Sequence, residues 1–349
     1  VAHPYPDDGG TMDNRYEVLD LSPTGALTVT GTFFRMGRAT GGETNLVFSP
    51  DGRFGYAVQS DGSLGIFEVN ATTGAVTVLE AAYRDGFYAR KVLMAPDGAH
   101  LWVVDFNTRA NGGGLYEIAL GCDGRPTNNG ASWVGDSLAA AALLPGGGSA
   151  VIAARTLGAS VMTDNLHKVD VAPLSTVHTY RAGAAAFPDA DGIPSQLAVS
   201  ADQEWVAITD NGSFSGGNRV ALVNMAGDTL TPEQVVATPN PIGVIWSPLA
   251  PSALVVNSDT ADHYRLLSRP AAAWAVSAPL TYAHGRPQLP GPPVVIEQGM
   301  LRGRVLVPEL DAIRQLQFEA DGGITDVSRT PVSGTSIGQI VGVMGVQLP

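Results

Sequence analysis

Short apolar runs recur along the chain, each followed by a tight-turn signal and then by a second run of β-type residues. Leu46-Val47-Phe48 leads into Ser49-Pro50-Asp51-Gly52-Arg53 and on to Phe54-Gly55-Tyr56-Ala57-Val58. Val92-Leu93-Met94 leads into Ala95-Pro96-Asp97-Gly98-Ala99 and on to His100-Leu101-Trp102-Val103-Val104-Asp105. In Pro-Asp-Gly, proline presets φ at one corner and glycine accepts the positive φ that closes a hairpin. With the first run of each unit named strand A, copies fall at residues 44–49, 90–95, 137–144, 195–200, 241–247 and 293–297. Later turns degrade to Pro145-Gly146-Gly147, Ala201-Asp202-Gln203 and Pro248-Leu249-Ala250-Pro251, yet the spacing stays at about 50 residues.

Strand B follows each turn, and several copies end on a polar residue: Asp105, Asp210 and Asn257. Strand C alternates in polarity, as in Tyr16-Glu17-Val18-Leu19-Asp20, Leu64-Gly65-Ile66-Phe67-Glu68-Val69 and Arg219-Val220-Ala221-Leu222-Val223. Strand D follows a glycine turn, as in Thr24-Gly25-Ala26-Leu27-Thr28-Val29 and Thr73-Gly74-Ala75-Val76-Thr77-Val78. Alternation with β-branched residues suits the outer strands of a twisted sheet. Hairpin units repeating at about 45–50 residues predict a β-propeller. Residues 1–5 read as a strand B with no strand A before it, and Ile337-Gly338-Gln339-Ile340-Val341-Gly342-Val343-Met344 reads as a strand A with nothing after it. The expectation is therefore an all-β, seven-bladed propeller with four-stranded blades, one domain over residues 1–349. N- and C-terminal strands would share one blade, closing the ring and removing its exposed edges.

Composition narrows the partners. Hydrophobic residues at 44% supply a core, and a net charge of −13 excludes the basic face that nucleic acid requires. The lone cysteine, Cys122, excludes an internal disulfide and a cysteine-based zinc cluster. The longest apolar run, 138–144, is far shorter than a helical membrane span. Val1 stands without a Met or a charged-then-apolar leader, which reads as a trimmed chain.

Ser-Pro-Asp-Gly-Arg, the aromatic strand B, the strand C pattern and Thr-Gly-Ala-Leu/Val-Thr together resemble the lactonase family of seven-bladed propellers. That family includes bacterial 6-phosphogluconolactonase and fungal carboxymuconate cyclase, and grades into surface-layer YVTN repeat proteins. The likeness is clearest over residues 15–105 and 194–247. It implies that basic and imidazole side chains at the starts of particular A strands handle a lactone carboxylate and a proton. The family's Gly-Pro-Arg-His corresponds here to Ile193-Pro194-Ser195-Gln196, so Ser195 stands at the Arg position and Gln196 at the His position. At another A strand the expected His is Arg90. Without these imidazoles the family's acid–base route lacks its natural proton carriers.

The side chains expected at the mouth of the central channel are Glu43, Asn45, Tyr88, Arg90, Lys91, Asp136, Arg155, Gln196, Asp210 and Asn257, with Ile242, Glu297 and Gln339 nearby. Arg90-Lys91, an adjacent basic pair in an acidic chain, can hold a carboxylate or phosphate; the alternative is a salt bridge to Glu43 or Asp136. The loops 6–14, 106–113, 156–165, 211–218 and 258–263 are rich in Asp, Asn and Gly, suited to sugar hydroxyls or calcium but also to any solvated turn. None carries the spacing of a dedicated calcium loop, the six histidines are scattered, and no cofactor motif is present. These features lead to a monomeric, exported propeller, periplasmic or at the cell surface, that binds a small anion, a carbohydrate or a protein through its loop-rich face. The rival readings are a lactonase, cyclase or isomerase acting on a small anion at the channel mouth, and a structural surface-display module.

Overall fold

The computed structural model describes residues 1–3, 14–38, 46–105, 114–133, 138–154, 166–171, 179–182, 194–210, 218–226, 229–258 and 262–332. Among these residues all regular structure is β, arranged as seven antiparallel sheets whose strands follow one another in chain order. Blade 1 holds β1 (Ala2–His3), β2 (Arg15–Leu21) and β3 (Leu27–Arg35). Blade 2 holds β4 (Leu46–Phe48), β5 (Phe54–Val58), β6 (Leu64–Val69) and β7 (Val76–Tyr83). Blade 3 holds β8 (Ala89–Met94), β9 (His100–Asp105), β10 (Gly114–Leu120) and β11 (Pro126–Trp133). Blade 4 holds β12 (Leu138–Leu143), β13 (Ser149–Ala154), β14 (Leu166–Asp170) and β15 (Thr179–Ala182). Blade 5 holds β16 (Pro194–Val199), β17 (Trp205–Asp210), β18 (Arg219–Ala226) and β19 (Thr229–Ala237). Blade 6 holds β20 (Pro241–Trp246), β21 (Ser252–Asn257), β22 (Tyr264–Ser268) and β23 (Ala275–Pro279). Blade 7 holds β24 (Val294–Val295), β25 (Arg304–Pro308), β26 (Ala312–Phe318) and β27 (Ile324–Pro331).

The second strands are apolar without alternation because both of their faces are buried, each against a different neighbouring blade. In β17, Val206 and Ile208 pack toward blade 4 while Trp205 and Ala207 pack toward blade 6. In β21, Ala253 and Val255 face blade 5 while Leu254 and Val256 face blade 7. Period-2 side-chain placement thus gives each strand two interfaces. One hydrophobic cluster lies between each adjacent pair of blades, and the last joins Leu306 and Ile313 of blade 7 to Val1, Leu19 and Val29 of blade 1. The chain is therefore a closed seven-bladed propeller. The expected fourth strand of blade 1, at 337–344, lies outside the described residues.

At the A–B turns, Gly52, Gly98 and Gly147 take φ of 67°, 69° and 71°, the left-handed conformation that Pro-Asp-Gly and its relatives require. Blade 5 places Gln203 there at φ 61°. Strand A of blade 7 is shorter than the apolar run 293–297, since Pro292 and Pro293 have no N–H to extend the ladder. Gly55 in β5 is required by close approach: a Cβ there would run into the Phe67 ring of β6. Gly55→Ala is expected to destabilise the fold by about 1–3 kcal/mol through overpacking, read as a lower midpoint of thermal or denaturant unfolding.

Candidate ligand site at the inner strands

The inner strands of blades 3 to 6 share one irregularity. In β8, Ala89 pairs with Asp105 and Lys91 with Val104, so Arg90 is an extra residue. The same bulge places Ala139 in β12, Ser195 in β16 and Ile242 in β20 as the extra residue. A bulge breaks the alternation of a strand and re-aims side chains. It sets Arg90-Lys91 in blade 3 and Ser195-Gln196 in blade 5 at one level of the ring, near the start of each inner strand.

Lys91 is half-buried, and burial lowers its ammonium to about 8 from the usual 10.5. No described residue forms an ion pair or hydrogen bond with it. Arg90 is also half-buried and has interaction partners. Gln196 Oε1 accepts the Val244 N–H at 2.9 Å, tying blade 5 to blade 6. Ser195 Oγ lies 2.7 Å from Thr209 Oγ1 and 3.3 Å from the Pro241 carbonyl, so its hydroxyl is engaged. Opposite Gln196, Gly243 leaves no room for a side chain: a Cβ would stand 2.6 Å from Pro293 Cδ and 2.8 Å from Gln196 Oε1.

The other residues expected at the mouth divide. Tyr88 is pinned rather than free, donating its hydroxyl to the Ser60 carbonyl at 3.0 Å and its backbone N–H to Asp105 Oδ1 at 2.9 Å. Asp210 and Asn257, expected at the mouth, are both fully buried. Arg219 Nε donates to Asp210 Oδ2 at 2.9 Å. Asn257 receives the Thr238 hydroxyl at 3.1 Å and donates to the Asp262 carbonyl at 2.8 Å. Ile242 packs into the blade 6–7 core, and Glu297 is exposed at the A–B end of blade 7, away from the mouth. Glu43, Asn45, Asp136, Arg155 and Gln339 lie outside the described residues, as do nearly all of the loop-rich segments. Among the described residues no three His, Cys, Asp or Glu side chains gather as a metal site.

The polar ends of the B strands are fastenings. Asp105, Asp210 and Asn257 each sit opposite the residue just before a bulge. Gln59 and Glu309, at the ends of their own B strands, are buried like them. Gln59 holds the blade 1–2 connection through the Arg38 N–H and donates to the Ala81 carbonyl at 2.7 Å. Glu309 accepts from Tyr264 at 2.9 Å, from Arg314 at 2.5 Å and from Arg329 at 2.8 Å. Arg314 also reaches Asp326 at 2.7 Å and the Gly285 carbonyl at 2.8 Å. Sequence reasoning missed this cluster; the available signal was a charged residue inside the apolar strand Ala312-Ile313-Arg314.

No protein-family model matches the chain, and no curated protein matches it by sequence. Solved structures do match. A candidate 6-phosphogluconolactonase from Bacteroides fragilis superposes with a TM-score of 0.66 at 15% identity, covering 96% of this chain and 95% of that one. The periplasmic gluconolactonase of Pseudomonas aeruginosa gives 0.66 at 14% identity, covering 96% of each. A chain of Kuenenia stuttgartiensis hydrazine synthase gives 0.57 at 15% identity, with 84% and 87% covered. One scaffold thus carries proteins of unlike names, as propellers do. At these identities the likeness is one of fold: the chain is a seven-bladed β-propeller that superposes on lactonase-type propellers along nearly its whole length.

Proposed function

We propose that this propeller binds a small anionic metabolite at the start of its inner strands, with Lys91 as the principal charge and Arg90 beside it. The observation that carries this reading is the Lys91 ammonium, partly withdrawn from water and without an ionic partner among the described residues. A charge held that way is costly unless something supplies its counter-ion, and a carboxylate or phosphate does so. The overall negative charge of the chain argues for a compact ligand inside a shielded channel rather than an extended polyanion on the surface. Export to the periplasm or cell surface is part of the proposal, supported by the periplasmic gluconolactonase among the similar structures.

Lactone hydrolysis is the second reading, favoured by the names of two of those structures. Its proton carrier would be Lys91, whose lowered value of about 8 brings it within reach of acid–base work near neutral pH. Calorimetric titration of the protein and of Lys91→Met with small carboxylates, sugar phosphates and lactones tests both readings. Losing a charge-assisted hydrogen bond worth about 1.5–3 kcal/mol should weaken anion binding roughly tenfold to a hundredfold. Equal affinity in the two proteins would overturn the anion site. Lactone turnover that disappears in Lys91→Met would select the enzyme.

A further inference from the structure

Resting on that anion-site reading, we infer that Gln196 determines specificity. It selects ligands that place an oxygen acceptor, rather than a second hydrogen-bond donor, close to the anionic group. The orientation of its amide is fixed by chemistry. The Val244 backbone N–H can only donate, so the atom 2.9 Å from it must be Oε1, and the NH2 is the end left over. A flipped amide would set its NH2 against the Val244 N–H, donor against donor, so the hydrogen bond itself holds this orientation.

Neighbouring polar groups of β16 are engaged within the fold. The Gln196 backbone N–H donates to Thr209 Oγ1 at 2.9 Å, and Thr209 returns its proton to the Gln196 carbonyl at 3.2 Å. Ser195 Oγ is taken up by Thr209 and the Pro241 carbonyl. Gln196 is only partly buried, and its NH2 forms no hydrogen bond with a described residue. Beside Arg90, which already has interaction partners, the described groups at this level with hydrogens that meet no described partner are the Lys91 ammonium on blade 3 and the Gln196 amide on blade 5. Both are donors. A ligand matched to them carries a carboxylate or phosphate and, beyond it, a carbonyl, ester or ring oxygen. An oxo-acid or an acidic lactone fits this description, whereas an amino acid would bring its ammonium against like charge and donor groups.

The test compares ligands of equal charge, so that general electrostatics cancels. 2-Oxoglutarate and glutarate are titrated into the wild type, Lys91→Met and Gln196→Glu. The glutamate variant keeps an oxygen for the Val244 N–H and replaces the donor end with an acceptor, and its melting temperature reports whether the strand is intact. The expected result is a preference of about tenfold for 2-oxoglutarate over glutarate in the wild type, the value of one good hydrogen bond, that vanishes in Gln196→Glu. Lys91→Met should weaken both ligands and keep the preference. A preference undiminished in Gln196→Glu, with binding still lost in Lys91→Met, would overturn the role of Gln196 alone. Binding unaffected by Lys91→Met, or absent from the wild type for both ligands, would overturn the anion site and this inference with it.

Discussion

Arg314→Ala is expected to lower the unfolding free energy by about 3–5 kcal/mol, the usual cost of removing one member of a buried charge network. The Arg314 side chain is 0% exposed and holds Glu309 at 2.5 Å and Asp326 at 2.7 Å, both carboxylates themselves nearly inaccessible. Truncation leaves two anions in the interior with one guanidinium, Arg329, still on Glu309. It also releases the long connection between blades 6 and 7, which is fastened by Arg314 to the Gly285 carbonyl and by Asp326 to the His284 N–H at 3.0 Å. Against a total stability of about 5–15 kcal/mol, such a loss can prevent folding, so Tyr264→Phe serves as a milder companion. Burial pushes the Tyr264 hydroxyl well above its usual range, with the Glu309 charge adding to it, so it stays protonated and donates to Glu309. Its removal should cost about 1 kcal/mol. Denaturant titration of both variants is the measurement; a loss below about 1 kcal/mol for Arg314→Ala would mean that water replaces the guanidinium.

Raising the pH through about 8 should release anionic ligands from the channel, because burial has lowered the Lys91 ammonium to about that value. A bound anion favours the charged form, so the midpoint measured with ligand moves upward from there. Once the free lysine is neutral, each further pH unit should weaken binding by about tenfold, since binding must then take up a proton. The apo protein should respond in the opposite sense. Between about 8 and 10.5 the unfolded chain keeps its proton on Lys91 while the folded one has lost it, so stability rises with pH across that window. Below about 8 both states are charged and the desolvation penalty stands in full. Lys91→Met should flatten both profiles. An unchanged pH dependence of binding in that variant would assign the effect to another group.

How much of this was legible along the chain follows from which interactions are local. The Pro-Asp-Gly turns, the glycine turns before β3 and β7, and the unbroken apolar B strands are written in neighbouring residues. They specified the repeat, the blade count and the inner-strand positions of Arg90, Lys91 and Gln196, and the bounds of β6 coincide with the run Leu64–Val69. The fates of Asp210 and Asn257 were not legible. A polar residue ending a strand looks the same whether it faces a mouth or clasps Arg219 and Thr238, and only the packing of adjacent blades decides between them. The shared bulge was hidden for a related reason, since register is a relation between two strands and one strand alone does not reveal it. The tertiary structure likewise decided that Gln196 has its amide oriented by the Val244 N–H of the next blade. Period and turn chemistry therefore determined the propeller from sequence. The ring closed around that sequence decided which polar groups are consumed in holding it together and which remain able to meet a ligand.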